Sequence, residues 1–383
     1  MIQKSQQWLK DDVFPLWLDR GVDRQNGGFI ESLSFFGQPS DVPRRAMVQA
    51  RQIYSFVTAA KLKSCDSTTA LETALEAART FQKNYLLESG ACLHATHANG
   101  QPQNTSHELY TQAFALFALA NAYGISKDGS FKNSALKLLA YLERERVAPA
   151  GGYTEIKDGK TLYQSNPHMH LFEAALAWIA VDPTEKSWQE LAQKLFTLCT
   201  TKFIQPETGT LAEHFTADWK PELHAGRFLL EPGHHFEWAW LLSVDQDLGG
   251  PDSHKIRHRL RDIGERGVDA NTHLAYDEIW NDLSPKKKSS RFWPHCERIK
   301  AAVKLGLEVP ADQQAAFALS ADQALEALFG YFQTSVKGLW QDARQEDGSF
   351  TKQDPKASSL YHIINAMDEY VNLRPKLNDS VEK

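Results

Sequence analysis

The chain has 383 residues and a formal net charge of −6 at pH 7, and its hydrophobic (42%) and charged (23%) fractions are typical of globular proteins. A net negative charge gives no electrostatic attraction to nucleic acid or anionic membranes. No apolar run approaches the ~20 residues of a membrane span, and the N-terminus lacks an apolar signal segment. The four cysteines have no CxxC spacing, which indicates reduced thiols. We therefore expect a cytoplasmic protein without a nucleic-acid or membrane partner.

A short segment, usually containing glycine and resembling a β-hairpin, recurs along the chain at a spacing of roughly 60 residues. Six copies are recognisable, at 26–31, 89–94, 151–155, 208–213, 271–278 and 347–352, the last after a longer interval. Self-similarity at a nearly fixed period is typical of a repeat architecture. The sequence therefore predicts six structural repeats.

Two kinds of helix pattern flank these segments. An amphipathic pattern with a charged face precedes each one, over 2–21, 69–87, 129–147, 186–204, 253–268 and 312–338. A more apolar pattern follows, over 43–62, 106–124, 167–181, 232–245, 291–306 and 357–373. Helices that are apolar all round must be buried on both sides, so they are expected to form an inner ring wrapped by the amphipathic set.

The predicted fold is therefore all-α, an (α/α)6 barrel with short β-hairpins at one end. We expect one catalytic domain over 1–375 and a polar tail over 376–383. The alternative, an ordinary two-domain helical protein, does not explain a sixfold period.

Residues in the first two turns of the inner helices are expected to line a pocket at the hairpin end. Titratable side chains on apolar helices are costly to bury unless they are paired or wet, so their presence indicates function. The pattern His-x-x-Glu occurs at His170/Glu173 and at His234/Glu237, each pair on one helix face. A carboxylate one turn away can fix the tautomer of an imidazole, so both pairs are candidate proton-transfer groups.

Other polar and aromatic side chains occupy the same level. Arg51 lies in an apolar helix pattern, where an inward guanidinium would bind a substrate oxygen, although a lone helical arginine is more often a surface residue. Trp293 and Trp238 would either stack on a sugar ring or fill the core. Further candidates at this level are Tyr110, Glu297 and His362. The residues expected to be structural are His168, His235 and Cys296.

A metal centre is the main alternative use of the histidines. Paired His-x-x-Glu resembles an inverted di-iron motif, but the extra inward carboxylates that such a site needs are scarce, with Glu297 the main candidate. The chain has no GxGxxG, Walker or GxSxG motif. We therefore expect neither a metal nor an organic cofactor.

Four blocks lie in order along the inner helices: Asn166-Pro-His-Met-His-Leu-Phe-Glu-Ala174, Glu231-Pro-Gly-His-His-Phe-Glu-Trp-Ala-Trp-Leu-Leu242, Arg291-Phe-Trp-Pro-His-Cys-Glu297 and Tyr361-His-Ile363. Together they resemble the signature blocks of the N-acylglucosamine 2-epimerase superfamily, which implies an (α/α)6 barrel and epimerase or aldose–ketose isomerase chemistry. The first block is most like the mannose isomerase and sulfoquinovose isomerase branch. The second departs from the His-Gly-His-Asp that is usual in cellobiose 2-epimerases.

The resemblance implies roles for the matched residues. His234 and His362 correspond to acid/base histidines that flank the C1–C2 unit of the sugar, and Glu237 to the carboxylate that orients His234. His170 and Arg51 correspond to groups that handle the ring oxygen and hydroxyls. The expected catalytic residues are His234, His362, His170 and Glu237. The expected substrate-binding residues are Arg51, Tyr110, Asn166, Glu173, Trp293 (as a pocket wall) and Glu297.

The expected activity is interconversion of D-mannose and D-fructose, or of a close analogue pair such as lyxose and xylulose, through a cis-enediolate. One alternative is a 2-epimerase acting on N-acetylglucosamine or a free hexose. From another class, the alternatives are a glycoside hydrolase or a sugar-binding protein of the same shape. A hydrolase needs two opposed carboxylates, whereas the predicted centre is rich in histidine. The expected partner is a monosaccharide, with phosphorylation left open, and the expected assembly is a monomer or homodimer.

Overall fold

A computed structural model describes residues 1–378, in which helical runs alternate between an outer and an inner layer. The outer helix α1 is a continuous run of Ile2–Trp8, Leu9–Val13, Phe14–Leu16 and Trp17–Gly21, the second and fourth parts being π-helical. The other outer helices are α3 (Ser67–Tyr85), α5 (Gly129–Glu145), α7 (Lys186–Leu198), α9 (His254–Arg266) and α11 (Ala311–Tyr331). The inner helices are α2 (Ala46–Leu62), α4 (Leu109–Ser126), α6 (Ser165–Val181), α8 (Pro232–Asp247), α10 (Trp293–Gly306) and α12 (Leu360–Leu373).

The inner helices form a closed ring. Each packs against the next inner helix along the chain, and α12 packs against α2. Outer helices α3, α5, α7, α9 and α11 cover the inner helices that precede them, and α1 covers α12. Inner helix α4 shows the reason, because most of its side chains are apolar and most of them are buried. Helix α9, by contrast, buries one stripe and exposes a charged face. The predicted (α/α)6 barrel is confirmed.

Short antiparallel strands join neighbouring repeats at the end where the inner helices begin. The first sheet pairs β1 (Arg44–Arg45) with β2 (Ala95–Thr96), and β2 with β3 (Pro102–Asn104). The second contains β4 (Glu155–Lys157), β5 (Lys160–Gln164) and β6 (His214–Phe215). The third contains β7 (Leu229–Leu230), β8 (Glu278–Trp280) and β9 (Pro285–Lys287), and β10 (Ser290–Arg291) pairs with β11 (Ala343–Arg344). These pairings bring hairpin side chains over the inner helix ends.

Four inner helices hold their own hairpin by an equivalent hydrogen bond. In each, a side chain near the helix start accepts from a hairpin backbone N–H. The pairs are Gln49 with Phe29 at 2.8 Å, Gln112 with Cys92 at 2.7 Å, His168 with Tyr153 at 2.9 Å and His235 with Leu211 at 3.1 Å. Both imidazoles donate through Nδ1 to a backbone carbonyl, so all their polar atoms are used. This agrees with the structural role predicted for His168 and His235.

Some element boundaries differ from the sequence prediction. The inner helix predicted to start at 106 starts at Leu109, because Glu155 accepts hydrogen bonds from the backbone N–H groups of Leu109 and Tyr110 at 2.8 and 3.1 Å. The domain boundary at 375 stays a prediction. Of the predicted tail 376–383, Lys376 ends a 3-10 turn and Leu377 is buried, whereas 379–383 lie outside the described residues. Within residues 1–378, none of the helices combines the length and apolar character needed to cross a membrane.

Hairpin glycines differ in how closely the chain packs on them. Gly90 and Gly151 occupy similar hairpin positions, with φ of 93° and 88°. A Cβ on Gly90 would collide with the backbone carbonyl of Lys137, whereas nothing lies within 4 Å of one on Gly151. We expect Gly90→Ala to lower the free energy of unfolding by about 1–3 kcal/mol through left-handed strain plus this collision, and Gly151→Ala to cost less. Urea denaturation of both variants measures this; equal losses would contradict the packing argument.

Candidate active site

The first turns of the inner helices enclose a cavity of about 160 Å³ at the hairpin end. All six inner helices contribute to its wall. The lining side chains are Arg51, Tyr110, Asn166, His170, Glu231, His234, Glu237, Arg291, Trp293 and His362. The structure therefore brings eight of the ten predicted site residues to one cavity, and Glu231 and Arg291 join them. The other two, Glu173 and Glu297, lie behind the wall.

Three histidines face the cavity, and each is supported at Nδ1 by a buried carboxylate. A carboxylate only accepts, so each Nδ1 must donate, which leaves Nε2 for the cavity. No described residue hydrogen-bonds to Nε2 of any of the three. The N–O pairs are His234 with Glu213 at 2.9 Å, His362 with Glu297 at 2.8 Å and His170 with Glu173 at 3.1 Å. The site is thus built from three histidine–glutamate pairs.

The predicted pairing of Glu237 with His234 is wrong. The two lie three apart on α8, but the imidazole turns toward the hairpin strand, where Glu213 ends the fourth repeat segment. Glu213 is itself fixed by Ser165, which donates to it at 2.9 Å. Glu237 instead points toward the barrel axis, with Oε1 3.9 Å from Nδ1 of His170. The contact of His234 with Glu213 therefore replaces the predicted contact with Glu237.

Glu213 is the principal residue that the sequence reasoning missed. A signal for it exists in the repeat, because three hairpin segments contain a carboxylate that accepts from a backbone N–H just before the following inner helix. These are Glu31 with Arg45 at 3.0 Å, Glu213 with Glu231 at 3.3 Å and Asp277 with Arg291 at 2.9 Å. Carboxylates of the hairpin segments thus lie next to the starts of inner helices. One oxygen of Glu213 accepts from the Glu231 N–H, and the other accepts from His234.

The three histidines differ in charge. Burial alone would lower the pKa of His234, but the carboxylates of Glu213 and Glu231 outweigh it and raise the pKa to about 9. Burial, reinforced by the positive charges of Arg51 and Lys300, holds the pKa of His362 well below its usual value. Burial also lowers the pKa of His170 to about 4, despite Glu173. At neutral pH the cavity therefore presents one imidazolium and two neutral imidazoles.

Trp293 contacts both the cationic and the neutral histidine. Its ring centroid is 5.2 Å from that of His234 and 5.7 Å from that of His362. Gly233 makes this placement possible, because a Cβ there would overlap the Trp293 ring. The indole is therefore a part of the cavity wall that contacts both the proton donor and the proton acceptor.

Arg51 faces the cavity without an acidic partner. Its guanidinium donates to the Tyr110 hydroxyl at 2.7 Å and stacks over Phe114 and Tyr361, with centroid distances of 4.3 and 4.9 Å. No carboxylate within residues 1–378 comes within ion-pair distance of it. Asn166 likewise has a buried Oδ1 without a partner in the described chain. Both groups are thus available to substrate oxygens.

A buried charge network lies below the cavity floor. Lys300 forms an ion pair with Glu297 at 2.6 Å, and both are fully buried. Burial and the neighbouring charge of Glu297 raise the pKa of Glu237 well above its usual value, which favours its protonated form. Glu237, Glu297 and His362 lie close enough together to bind a cation, as do His170, Glu173 and Glu237. The ammonium group of Lys300 already provides positive charge there, and the absence of a metal stays a prediction.

The basic groups at the cavity mouth are paired with carboxylates. Arg291 contacts Glu231 at 2.7 Å and Asp277 at 2.9 Å. Lys287 lies 3.7 Å from Asp277, and Lys286 pairs with Glu278. These ion pairs leave Arg51 as the arginine of the cavity lining that has no carboxylate partner among the described residues.

The chain is similar to known proteins in both sequence and fold. The family model described as N-acylglucosamine 2-epimerase (GlcNAc 2-epimerase) matches residues 28–366. The chain is 34% identical over 368 residues, 94% of each chain, to mannose-6-phosphate isomerase of Rhizobium meliloti (strain 1021).

Two solved structures resemble the whole chain. A sugar epimerase from a ruminal bacterium has a TM-score of 0.86 at 19% identity and covers 97% of this chain and 98% of its own. A D-mannose isomerase has a TM-score of 0.83 at 19% identity and covers 96% of each chain. At such identity these structures support the fold alone. With the family match and the sequence relative, they confirm the resemblance seen in the four blocks. The chain is a sugar isomerase or epimerase, and it belongs to the N-acylglucosamine 2-epimerase family.

Proposed function

We propose that this protein is an aldose–ketose isomerase that interconverts D-mannose and D-fructose. The observation that carries the proposal is the pair of cavity histidines that pack against Trp293, His234 cationic and His362 neutral. Proton transfer beside a carbonyl needs a base for the carbon-bound proton and a donor for the oxygen. This pair supplies both at neutral pH. The relative named mannose-6-phosphate isomerase supports the choice of sugar.

The proposed steps conserve protons. After the pyranose opens, Nε2 of His362 removes the proton from C2 while Nε2–H of His234 protonates O1, giving the enediol. His362 then returns its proton to C1, and His234 recovers a proton from O2, so the ketose forms and both histidines are restored. Reprotonation at the opposite face of C2 would instead yield the epimer. No metal or nucleotide enters these steps.

Three further side chains would bind the substrate. Neutral His170, with Nδ1–H directed to Glu173, has an Nε2 that takes the proton of the anomeric hydroxyl and passes it to the ring oxygen as the C1–O5 bond breaks, so that His170 ends neutral. Arg51 and Asn166 have unpaired polar atoms that suit sugar hydroxyls. These contacts would hold the C1–C2 unit against Trp293.

The carboxylates favour isomerisation over glycoside hydrolysis. Glu173, Glu213 and Glu297 each hold a histidine and are therefore not free to act as an opposed acid and nucleophile. Glu237 and Glu231 also line the cavity, but burial raises the pKa of Glu237 well above its usual value, and Glu231 is paired with Arg291 at 2.7 Å.

We further propose that the sugar is not phosphorylated. A phosphate dianion is normally held by several unpaired donors, with arginine favoured for bidentate contacts. Arg291 is engaged by Glu231 and Asp277, which leaves Arg51 as the one arginine of the cavity lining without a carboxylate partner among the described residues. A single guanidinium that already donates to Tyr110 falls short of the several donors that a phosphate needs.

The test is NMR of the purified protein with D-mannose in D2O. We expect fructose to form with deuterium at C1, and the remaining mannose to gain deuterium at C2 through the reverse reaction, because the imidazole protons exchange with solvent. D-Mannose 6-phosphate in a parallel assay should have at least a tenfold lower kcat/KM, the equivalent of about 1.4 kcal/mol.

The other products separate the alternatives. Glucose from mannose, or N-acetylmannosamine from N-acetylglucosamine, without ketose would indicate an epimerase. If mannose, lyxose and N-acetylglucosamine all remain unchanged and undeuterated, the proposed function is wrong. A faster reaction with the phosphate ester would overturn only the assignment of a free sugar.

A further inference from the structure

Lys300 is a fully buried lysine that the proposed steps do not use. It lies on α10, one turn after Glu297, with 0% of its surface exposed. Its Nζ is 2.6 Å from Oε2 of Glu297 and 3.8 Å from the centre of the Trp240 ring. A buried ammonium is costly unless it is paired, so its position at the base of the site needs an explanation.

The lysine is connected to the cavity through one carboxylate. Oε2 of Glu297 meets Lys300, and Oε1 accepts the Nδ1 proton of His362 at 2.8 Å. The ammonium group of Lys300 therefore contacts the carboxylate of Glu297, which in turn contacts the imidazole of His362 at the cavity. The charged and titratable groups around this line come from every neighbouring inner helix: Arg51 and Tyr54 on α2, His170 and Glu173 on α6, Glu237 on α8, and Tyr361 and Glu369 on α12.

We propose that Lys300 is a positioning residue that keeps Glu297 ionised and thereby holds His362 in the tautomer that can act as a base. The role of His362 as a base rests on the proposed function, whereas the tautomer can be observed without substrate.

The consequence of removing the ammonium follows from the surrounding charges. Glu297 would then lie in a buried site beside Glu237 and Glu173 without its counter-ion, which favours its protonated form. A protonated carboxyl would donate to Nδ1 of His362, and the imidazole proton would move to Nε2. His362 would present N–H to C2 and would have no lone pair to remove a proton.

Lys300→Met tests this, because it retains most of the side-chain length and removes the ammonium group with its charge and its hydrogen-bond donors. We expect kcat at pH 7 to fall about 10- to 100-fold and the acidic limb of the pH profile to move up by about one to two units. The sign follows because loss of a nearby cation raises the pKa of both Glu297 and His362, and both must be deprotonated. A purely structural role would lower kcat equally at every pH.

Lys304→Met is the matched control. Lys304 lies one turn further along α10 and pairs with Asp247 outside the site, so the change should leave the pH profile unmoved. Lys300→Gln, which removes the same charge but keeps a hydrogen-bond donor, replaces Lys300→Met if that variant fails to fold. Lys300→Arg keeps the positive charge and should therefore retain the acidic limb of the wild-type pH profile.

Nitrogen-15 NMR of histidine-labelled protein gives the second readout. We expect the His362 signals to change from the Nδ1–H to the Nε2–H pattern in Lys300→Met and to stay unchanged in Lys304→Met. An unchanged tautomer, or a uniform loss of kcat across pH, would overturn the proposal. Because this readout needs no substrate, an inactive wild-type enzyme would refute the proposed function without deciding the role of Lys300.

Discussion

Replacing His362 by Gln is expected to lower kcat for mannose isomerisation by about 10²- to 10⁴-fold, the usual contribution of a positioned acid/base group. The amide can still donate to Glu297, so the buried carboxylate keeps a partner and the fold should survive. It offers no basic nitrogen to C2. Steady-state assay together with deuterium wash-in from D2O measures the loss of both turnover and exchange.

His235→Gln is the matched control. His235 neighbours the proposed acid, His234, but serves to hold a hairpin by accepting from the Leu211 N–H. Glutamine already makes that hydrogen bond at Gln49 and Gln112 in the first two repeats. The same substitution should therefore leave kcat within about threefold of wild type, a change under 1 kcal/mol. If His362→Gln retains comparable activity, His362 is not the base.

The ring of helices was predictable because its signal is periodic. Helices apolar on all sides and helices charged on one face alternate six times, and a closed double ring is the arrangement that buries the first set. The position of the histidines near the starts of the inner helices could be predicted from the same periodicity, since it locates helix starts to within a few residues. His170 and His234 could thus be placed near each other although 64 positions separate them.

The partners of the histidines could not be predicted in the same way. Local reasoning pairs residues three or four apart on a helix, and it gives the observed contact for His170 and Glu173. For His234 the same reasoning gives the wrong partner. Its imidazole contacts Glu213 in a hairpin segment, and tertiary packing sets the position of that segment relative to α8. Glu297, expected to bind substrate, instead contacts His362 from the neighbouring helix. Rotation of each helix about its own axis decides such contacts, and the sequence alone does not specify it to within one side chain.

Charge state was equally beyond sequence reasoning, and Glu213→Gln tests it directly. The raised pKa of His234 reflects two carboxylates acting against burial. The substituted amide keeps one oxygen that accepts from His234 and Ser165, loses the acceptor for the Glu231 N–H, and removes one of those charges, so the pKa of His234 should fall from about 9 to about 6.5 or below. At pH 8 the protonated fraction of His234 would then drop from about 0.9 to about 0.03, and kcat/KM should fall about 30-fold.

The direction of the pH effect distinguishes this mechanism from loss of structure. His234 must be protonated to donate to O1, and a raised pKa keeps it protonated until the pH passes about 9. The basic limb of kcat/KM should therefore lie near pH 9 in the wild type and move down by two or more units in Glu213→Gln, with much of the activity recovered at pH 6. Glu173→Gln removes the same charge from beside His170 and should leave that limb in place. A Glu213→Gln profile that is lowered but not displaced would mean that the carboxylate positions His234 without setting its charge.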